Sequence, residues 1–255
     1  MKPVAVLAYG SVVYALFLGS FLYAVGFIGN FWVPTSLDAP ASAPFGQALL
    51  INTLLLAAFA LQHSVMARQG FKQWWTRLIP EPAERSTYVL ATVLALAAIF
   101  AWWQPMGGVL WDVQDPAGRA AIYGLFAFGW VLVLASTFLI NHFDLFGLRQ
   151  VWLYFRGTPY TPIGFRAPAL YQHVWHPLYV GWLCVFWAAP TMTAAHLVFA
   201  FLTTAYILIA IQLEERDLVA AHGTAYANYR KRVPMLIPFL GRKSEQVRVQ
   251  APESA

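Results

Sequence analysis

Two things are scarce in this chain of 255 residues: cysteine, present once as Cys184, and charge, because Asp, Glu, Lys and Arg together make only 11% of it. A single thiol offers no disulfide and no thiolate metal cluster, and Cys184 lies in an apolar run where packing is its expected role. So little charge beside 60% hydrophobic residues describes a chain that water would not dissolve. No stretch is polar and long enough for a separate soluble domain, so one integral membrane domain over residues 1–255 is expected. No tight histidine and carboxylate spacing demands zinc or iron, and no metal is expected.

What is abundant is apolar sequence. Runs extend roughly from Val4 to Phe31, Phe45 to Met66, Thr87 to Trp103, Ala120 to Ile140, Leu178 to Ala189 and Ala194 to Leu213, against the ~20 residues a spanning helix needs. The fifth, of roughly 12 residues, is too short to cross. Pro190-Thr191-Met192-Thr193 separates it from the sixth, so these two are expected to form a helical hairpin that turns near or short of the far surface. The first run is about twice the length of a signal core and lacks a small-residue cleavage site, so it reads as a helix. The expected fold is an all-α bundle of about five to six transmembrane helices.

Basic residues orient the bundle, since they stay on the cytoplasmic side of short loops. Lys2, the group Arg68, Lys72, Arg77 and Arg85, the group Arg149, Arg156 and Arg166, and the tail from Arg230 to Arg248 all belong inside on this rule. The loops holding Asp38 and then Asp112, Asp115 and Arg119 belong outside, which puts both termini in the cytoplasm. The net charge of +5 is then topology bias and attraction to anionic lipid headgroups; nucleic acid is excluded as a partner, and no obligate protein partner is inferred. Trp32, Trp102, Trp103 and Trp111 at one surface and Trp74, Trp75 and Trp152 at the other read as interfacial anchors. Trp175 differs because it sits inside a polar cluster.

That cluster is Gln172-His173-Val174-Trp175-His176-Pro177-Leu178-Tyr179-Val180-Gly181, and the expected hairpin returns Glu214-Glu215-Arg216-Asp217 to the same surface. Ionisable groups gathered in an oily protein mark a site. Pro177 suits the first turn of a helix, whose free N–H groups would face the cytoplasm and attract an anion, with His176 at the entry and Tyr179 one turn inside. Glu214 and Asp217 share a helical face; Arg216 points elsewhere. The preceding loop, 141–175, is long and rich in aromatics, which argues for a segment folded back over the end of the bundle as a lid.

The run from His176 to Gly181, followed by Glu214-Glu215-Arg216, Gly223, Tyr226, Tyr229 and Arg232-Val233-Pro234, resembles the C-terminal signature of the isoprenylcysteine carboxyl methyltransferase-like membrane methyltransferases. Within that superfamily, the stretch Asn141-His142-Phe143-Asp144-Leu145-Phe146-Gly147-Leu148-Arg149-Gln150 and the run from Val233 to Pro238 are similar to those of the methanethiol S-methyltransferase family. The resemblance implies S-adenosyl-L-methionine as methyl donor, a small volatile thiol as acceptor, membrane lipids as surroundings, and a cytoplasmic cofactor pocket. It divides the chain into a four-helix scaffold over 1–140, a cofactor- and substrate-binding catalytic region over 141–240 and a flexible tail over 241–255.

On this resemblance the donor is held by Gln172, His173, Val174, His176, Tyr179, Gly181 and Glu214, the last through ribose hydroxyls or the amino group. Aromatic faces such as Tyr179 or Trp175 suit a sulfonium. An alkyl thiol needs a base or a nearby cation to ionise at neutral pH. Asp217, Glu215, His142 or His173 would accept the proton, with Asp217 favoured and Arg216 stabilising the thiolate. One departure stands out: the wider family usually carries arginine where this chain has Trp175, and Arg149, Arg166 and Arg216 are the candidates to replace it. Other readings are methylation of an isoprenylcysteine carboxylate or a lipid, a non-catalytic relative, or a haem-binding electron-transfer subunit using His63 and His142 as axial ligands. Against the haem reading, His63 near the end of the second run and His196 at the start of the sixth both read as buried hydrogen-bonding groups.

Overall fold

The computed structural model describes residues 2–164 and 167–236. Its helices are α1 (Pro3–Gly29), α2 (Phe45–Ala67), α3 (Gln69–Trp75), α4 (Glu84–Trp102), α5 (Pro116–Ile140), α6 (His142–Leu145), α7 (Leu148–Phe155), α8 (Pro177–Trp187) and α9 (Ala194–Arg232). Among the described residues α1, α2, α4, α5 and α9 are long and apolar enough to cross a membrane. Leu22, Leu54, Leu61, Val131 and Phe201 on these helices are each more than half exposed. In water such flanks would aggregate; on helices of this length they are lipid-facing surface. The chain is an integral membrane protein with a mostly helical fold.

Local chemistry sets the helix starts. Pro3, Pro116 and Pro177 each occupy a first turn, where a missing N–H costs nothing. Asp115 accepts a hydrogen bond from the Gly118 amide at 2.7 Å, and Thr193 accepts one from His196 at 3.2 Å, satisfying amides that have no partner within the helix. The short fifth apolar run becomes α8. It lies against α5 at a crossing where a β-carbon on Gly181 would come within 2.9 Å of the Gly129 carbonyl oxygen, and one on Gly129 within 2.8 Å of the Gly181 oxygen. Only glycine lets two membrane helices approach so closely.

Two short strands were not anticipated from sequence. β1 (Val109–Asp112) pairs antiparallel with β2 (Thr191–Thr193), a ribbon too short to leave a readable alternation. Beside it, Asp38 accepts from Thr193 and faces His196 Nδ1 at 2.9 Å, while His196 Nε2 donates to the Phe186 carbonyl at 3.0 Å. His196 is therefore a buried hydrogen-bonding group that ties the 30–44 connection to the start of α9. At the opposite end, α6 and α7 fold back on the bundle: Val151 is fully buried in a cluster with Val6 of α1 and Ala83. Finally, α9 is broken at Gly223, whose φ of 55° and ψ of −132° lie outside any helical region.

Candidate active site

Three successive residues after α9 run alongside the segment that enters α8. The Trp175 amide donates to Pro234 O at 3.0 Å, the His176 amide to Met235 O at 3.3 Å, and the Trp175 indole to Val233 O. The Tyr229 hydroxyl donates to the Tyr171 carbonyl. These bonds enclose a polar nest. His176 Nε2 lies 3.6 Å from Glu215 Oε1, Glu215 Oε2 is 3.0 Å from Arg230, and the Arg230 guanidinium carbon stands 5.0 Å from the centre of the Trp175 ring. His176 and Glu215 are 6% and 4% exposed.

Burial, and then the Arg230 cation, push His176 down to about 4, so its imidazole is neutral at physiological pH. His176 Nε2, Glu215 Oε1 and Arg230 Nε are buried and have no hydrogen-bond partner among the described residues. Buried polar atoms are seldom left unpaired without a functional reason. Three in one nest are donors and acceptors available to a ligand.

Adjacent to the nest is a cavity of about 320 Å³ with an almost wholly apolar wall. Tyr179 joins the two: its ring forms part of the wall, and its hydroxyl donates to Glu214 Oε2 at 2.8 Å. Most polar groups of the wall, among them His63, Arg85, Tyr88, Thr92, Thr137, His142 and Tyr206, lie toward the same end of their helices as Tyr179, while Ser20 and Thr203 stand further along α1 and α9. Phe17, Phe59, Phe100 and Trp182 line the remainder.

Both histidines in the wall are oriented by threonines. Thr137 Oγ1 donates to Leu134 O at 2.7 Å, so its hydroxyl proton is committed, and the 2.8 Å contact with His142 Nδ1 must be donated by the imidazole. His142 Nε2 then carries the lone pair and accepts from the Tyr14 hydroxyl at 2.8 Å. Burial lowers the His142 pKa, which suits this neutral form. In the same way Thr92 donates to Tyr88 O at 3.0 Å, His63 Nδ1 donates to Thr92 at 3.2 Å, and His63 Nε2 accepts from the Tyr88 hydroxyl at 2.8 Å. Each ring is bonded on both nitrogens within the protein, unlike an axial haem ligand.

The chain is 62% identical over 239 residues to the methanethiol S-methyltransferase of Crocosphaera subtropica, covering 94% of each sequence, and 54% identical over 239 residues to that of Mycobacterium tuberculosis, covering 94% of this chain and 98% of the relative. It belongs to the methanethiol S-methyltransferase family. A more distant likeness, 29% over 226 residues, links it to nurim of Bos taurus, with 84% of this chain and 86% of nurim covered. No family model and no solved structure matches the chain.

The protein is thus a methyltransferase, and as in the expected signature of the methanethiol S-methyltransferase family His176, Tyr179, Glu214 and Glu215 stand together. Other expected site residues are placed elsewhere. Gln172 and His173 are exposed at the end of a 3-10 turn, Val174 is buried beneath it, and Gly181 faces α5 rather than the nest. Asp217 is bonded to Arg68 at 2.8 Å, Arg216 is exposed, and His142 lies in the cavity wall.

The cation beside Trp175 is Arg230, which sequence reasoning had counted only as an inside charge. Of the candidates named for that place, Arg149 is taken up by Asp144 at 2.9 Å, Arg216 makes no ion pair among the described residues, and Arg166 lies outside them. Arg68 and Arg85 were likewise read as topology signals only. Nothing in their spacing distinguishes them from neighbouring loop cations.

Proposed function

We propose that this chain transfers a methyl group from S-adenosyl-L-methionine to methanethiol, giving dimethyl sulfide. The donor carries a carboxylate, an ammonium and ribose hydroxyls, and the nest offers one partner of each kind: the Arg230 cation, the Glu214 and Glu215 carboxylates, and the unpaired nitrogen of neutral His176. When bound, S-adenosyl-L-methionine supplies a methyl group made electrophilic by its sulfonium. The chain's own part is to hold, orient and exclude water. Glu215, fixed between His176 and Arg230, presents Oε1 inward; Tyr179 presents an aromatic face to the cavity while its hydroxyl restrains Glu214.

The cavity receives the thiol. Its apolar wall favours an uncharged volatile molecule partitioning from lipid, and most of its polar groups gather toward the end nearest Glu214. His63 and Tyr88 come from α2 and α4, so residues 1–140 supply most of the cavity wall, and described residues between 175 and 235 the donor nest. Asp217 acts by fixing Arg68 near Glu214, and Arg216 remains a solvated headgroup-level cation. The α8 and α9 helices form the hairpin that brings Tyr179 to Glu214. The shared end of the bundle, where Arg68, Lys72, Arg77, Arg149, Arg156 and Arg230 collect, faces the cytoplasm of a bacterial cell, with both termini on that side.

The observation that carries this reading is the 2.8 Å bond between Tyr179 and Glu214, which makes the donor nest and the thiol cavity contiguous. Headspace gas chromatography of the purified, detergent-solubilised protein with S-adenosyl-L-methionine and methanethiol tests it. Dimethyl sulfide above a protein-free blank is expected, and Glu214→Ala should weaken donor binding measured by calorimetry. Donor binding without dimethyl sulfide would overturn the acceptor; absence of both would overturn the reaction class.

A further inference from the structure

The cavity contains one cation, Arg85, and no carboxylate within ion-pair distance of it among the described residues. Arg85 is held on one side only: Nε donates to Leu145 O at 2.7 Å, and the guanidinium carbon lies 4.9 Å from the centre of the Tyr88 ring. The terminal nitrogens of a guanidinium so placed are free to take an anion. Beside it stands a hydroxyl that, alone on the wall among the described residues, is aimed at an imidazole lone pair from within the wall itself, Tyr88 to His63 Nε2, the nearer ring nitrogen at 2.8 Å. The His63 ring is pinned from behind by Thr92 and stacked on Phe59, with ring centres 5.4 Å apart.

We propose that Arg85, Tyr88 and His63 activate the acceptor: Arg85 binds the thiol sulfur as thiolate, and His63 receives the thiol proton through the Tyr88 hydroxyl. The S–H bond breaks, its proton passes to Tyr88 Oη as the Tyr88 proton passes to His63 Nε2, and the electron pair stays on sulfur. That pair forms the new bond to the donor methyl carbon, the old carbon–sulfonium bond breaks, and its electrons neutralise the leaving sulfide. The proton carried by His63 is returned to water after turnover, so one thiol and one sulfonium give two neutral sulfides and one proton.

Among the described residues Arg85 faces the Tyr88 ring and acts on both His63 and Tyr88, whereas no cation acts on His142 or Tyr14 of the matching Tyr14–His142–Thr137 relay, which is why the first relay is chosen. Charged and titratable groups acting on Tyr88 from neighbouring elements are Arg85 on its own helix, Tyr206 and Glu214 on α9, and Arg68 between α2 and α3. Tyr88 and Tyr179 line the same cavity and Tyr179 is bonded to Glu214, which puts the relay at the donor end of the cavity. Asp217, favoured from sequence as the base, is instead bonded to Arg68.

This inference rests on the methanethiol reading above, and its test separates the two. Wild type, Tyr88→Phe, His63→Gln and Arg85→Leu are assayed with methanethiol and with 2,2,2-trifluoroethanethiol, which is far more acidic and needs no base. Loss of general-base help costs on the order of 10²–10⁴-fold. For Tyr88→Phe and His63→Gln, kcat/KM with methanethiol is expected to fall at least 100-fold and with the fluorinated thiol less than fivefold, and the alkaline rise of the methanethiol rate should move to higher pH. Without donor, titrating the fluorinated thiol into wild type should produce the ultraviolet absorption of a bound thiolate, lost in Arg85→Leu and retained in Arg85→Lys.

Equal losses for both thiols, or no loss, would overturn the relay. Thiolate absorption unchanged in Arg85→Leu would overturn the anion site. Wild type inactive on methanethiol would instead overturn the reading on which the inference rests. Donor affinity by calorimetry, expected unchanged in all three variants, shows that each is folded.

Discussion

Arg230 meets Glu215 at 3.0 Å although the two are fifteen residues apart on what begins as one helix. A straight helix rises 1.5 Å per residue and would separate them by ~22 Å. The contact exists because Gly223, midway between them, takes φ 55° and ψ −132° and turns the last segment of α9 back on the first. A side chain there finds open space, so the obstacle to replacement is backbone strain alone.

Gly223→Ala is therefore expected to keep the bundle but weaken the turn. Residues in such sparsely populated backbone regions cost about 1–3 kcal/mol, which corresponds to roughly 5–150-fold in an equilibrium. Calorimetry should show donor affinity reduced within that range while the melting temperature changes little. Unaltered affinity would mean that Arg230 does not contribute to the donor nest.

His176 makes stability depend on pH. Its folded-state pKa is pushed down to about 4 from the ordinary 6.5, so between those values the unfolded chain binds a proton that the folded one refuses. Stability is complete above 6.5, falls as the pH drops toward 4, and levels off below, at up to about 1.4 kcal/mol per pH unit within the window. Melting temperatures in detergent at a series of pH values should fall less steeply for His176→Gln than for wild type. Parallel curves would show that another group controls the acid limb.

Gly181→Ala should act on packing rather than on the donor. A methyl group there meets the Gly129 oxygen and the Val133 amide at 2.9 Å, both backbone atoms that cannot swing aside. Overpacking of this kind costs about 1–3 kcal/mol. A lower melting temperature with undiminished donor affinity of the folded fraction is expected; the reverse would place Gly181 in the donor site.

The cavity is larger than its acceptor requires. At about 320 Å³ it exceeds several-fold the volume of methanethiol, a molecule of two heavy atoms, given the ~30 Å³ that one water occupies in the liquid. Ethanethiol and propanethiol should therefore be methylated, with KM falling about fourfold per added methylene at ~0.8 kcal/mol each. Headspace assay of the mixed sulfides measures this. A sharp loss of activity at ethanethiol would show the cavity to be constricted when donor is bound.

Much of the candidate site was legible because its polar residues are concentrated in two short stretches. His176, Tyr179, Glu214 and Glu215 stand out in an oily sequence, and Pro177 marks a helix start on its own. What could not be read were partners from distant segments. Arg230, Arg85 and Arg68 look like ordinary inside cations until the fold sets them against Trp175, Tyr88 and Asp217. Gly181 was assigned to the donor through its neighbours in a motif, whereas its contacts are with α5.

By itself the sequence determined the apolar helices, the class of protein and the pair of polar segments, because hydropathy and local propensity act over short stretches of chain. Only the tertiary structure decided which charges meet, where the cavity lies and how α9 turns back. Ion pairing, tautomer choice and the two-glycine crossing depend on distances of a few ångströms between residues far apart in the chain, and no local pattern encodes those distances.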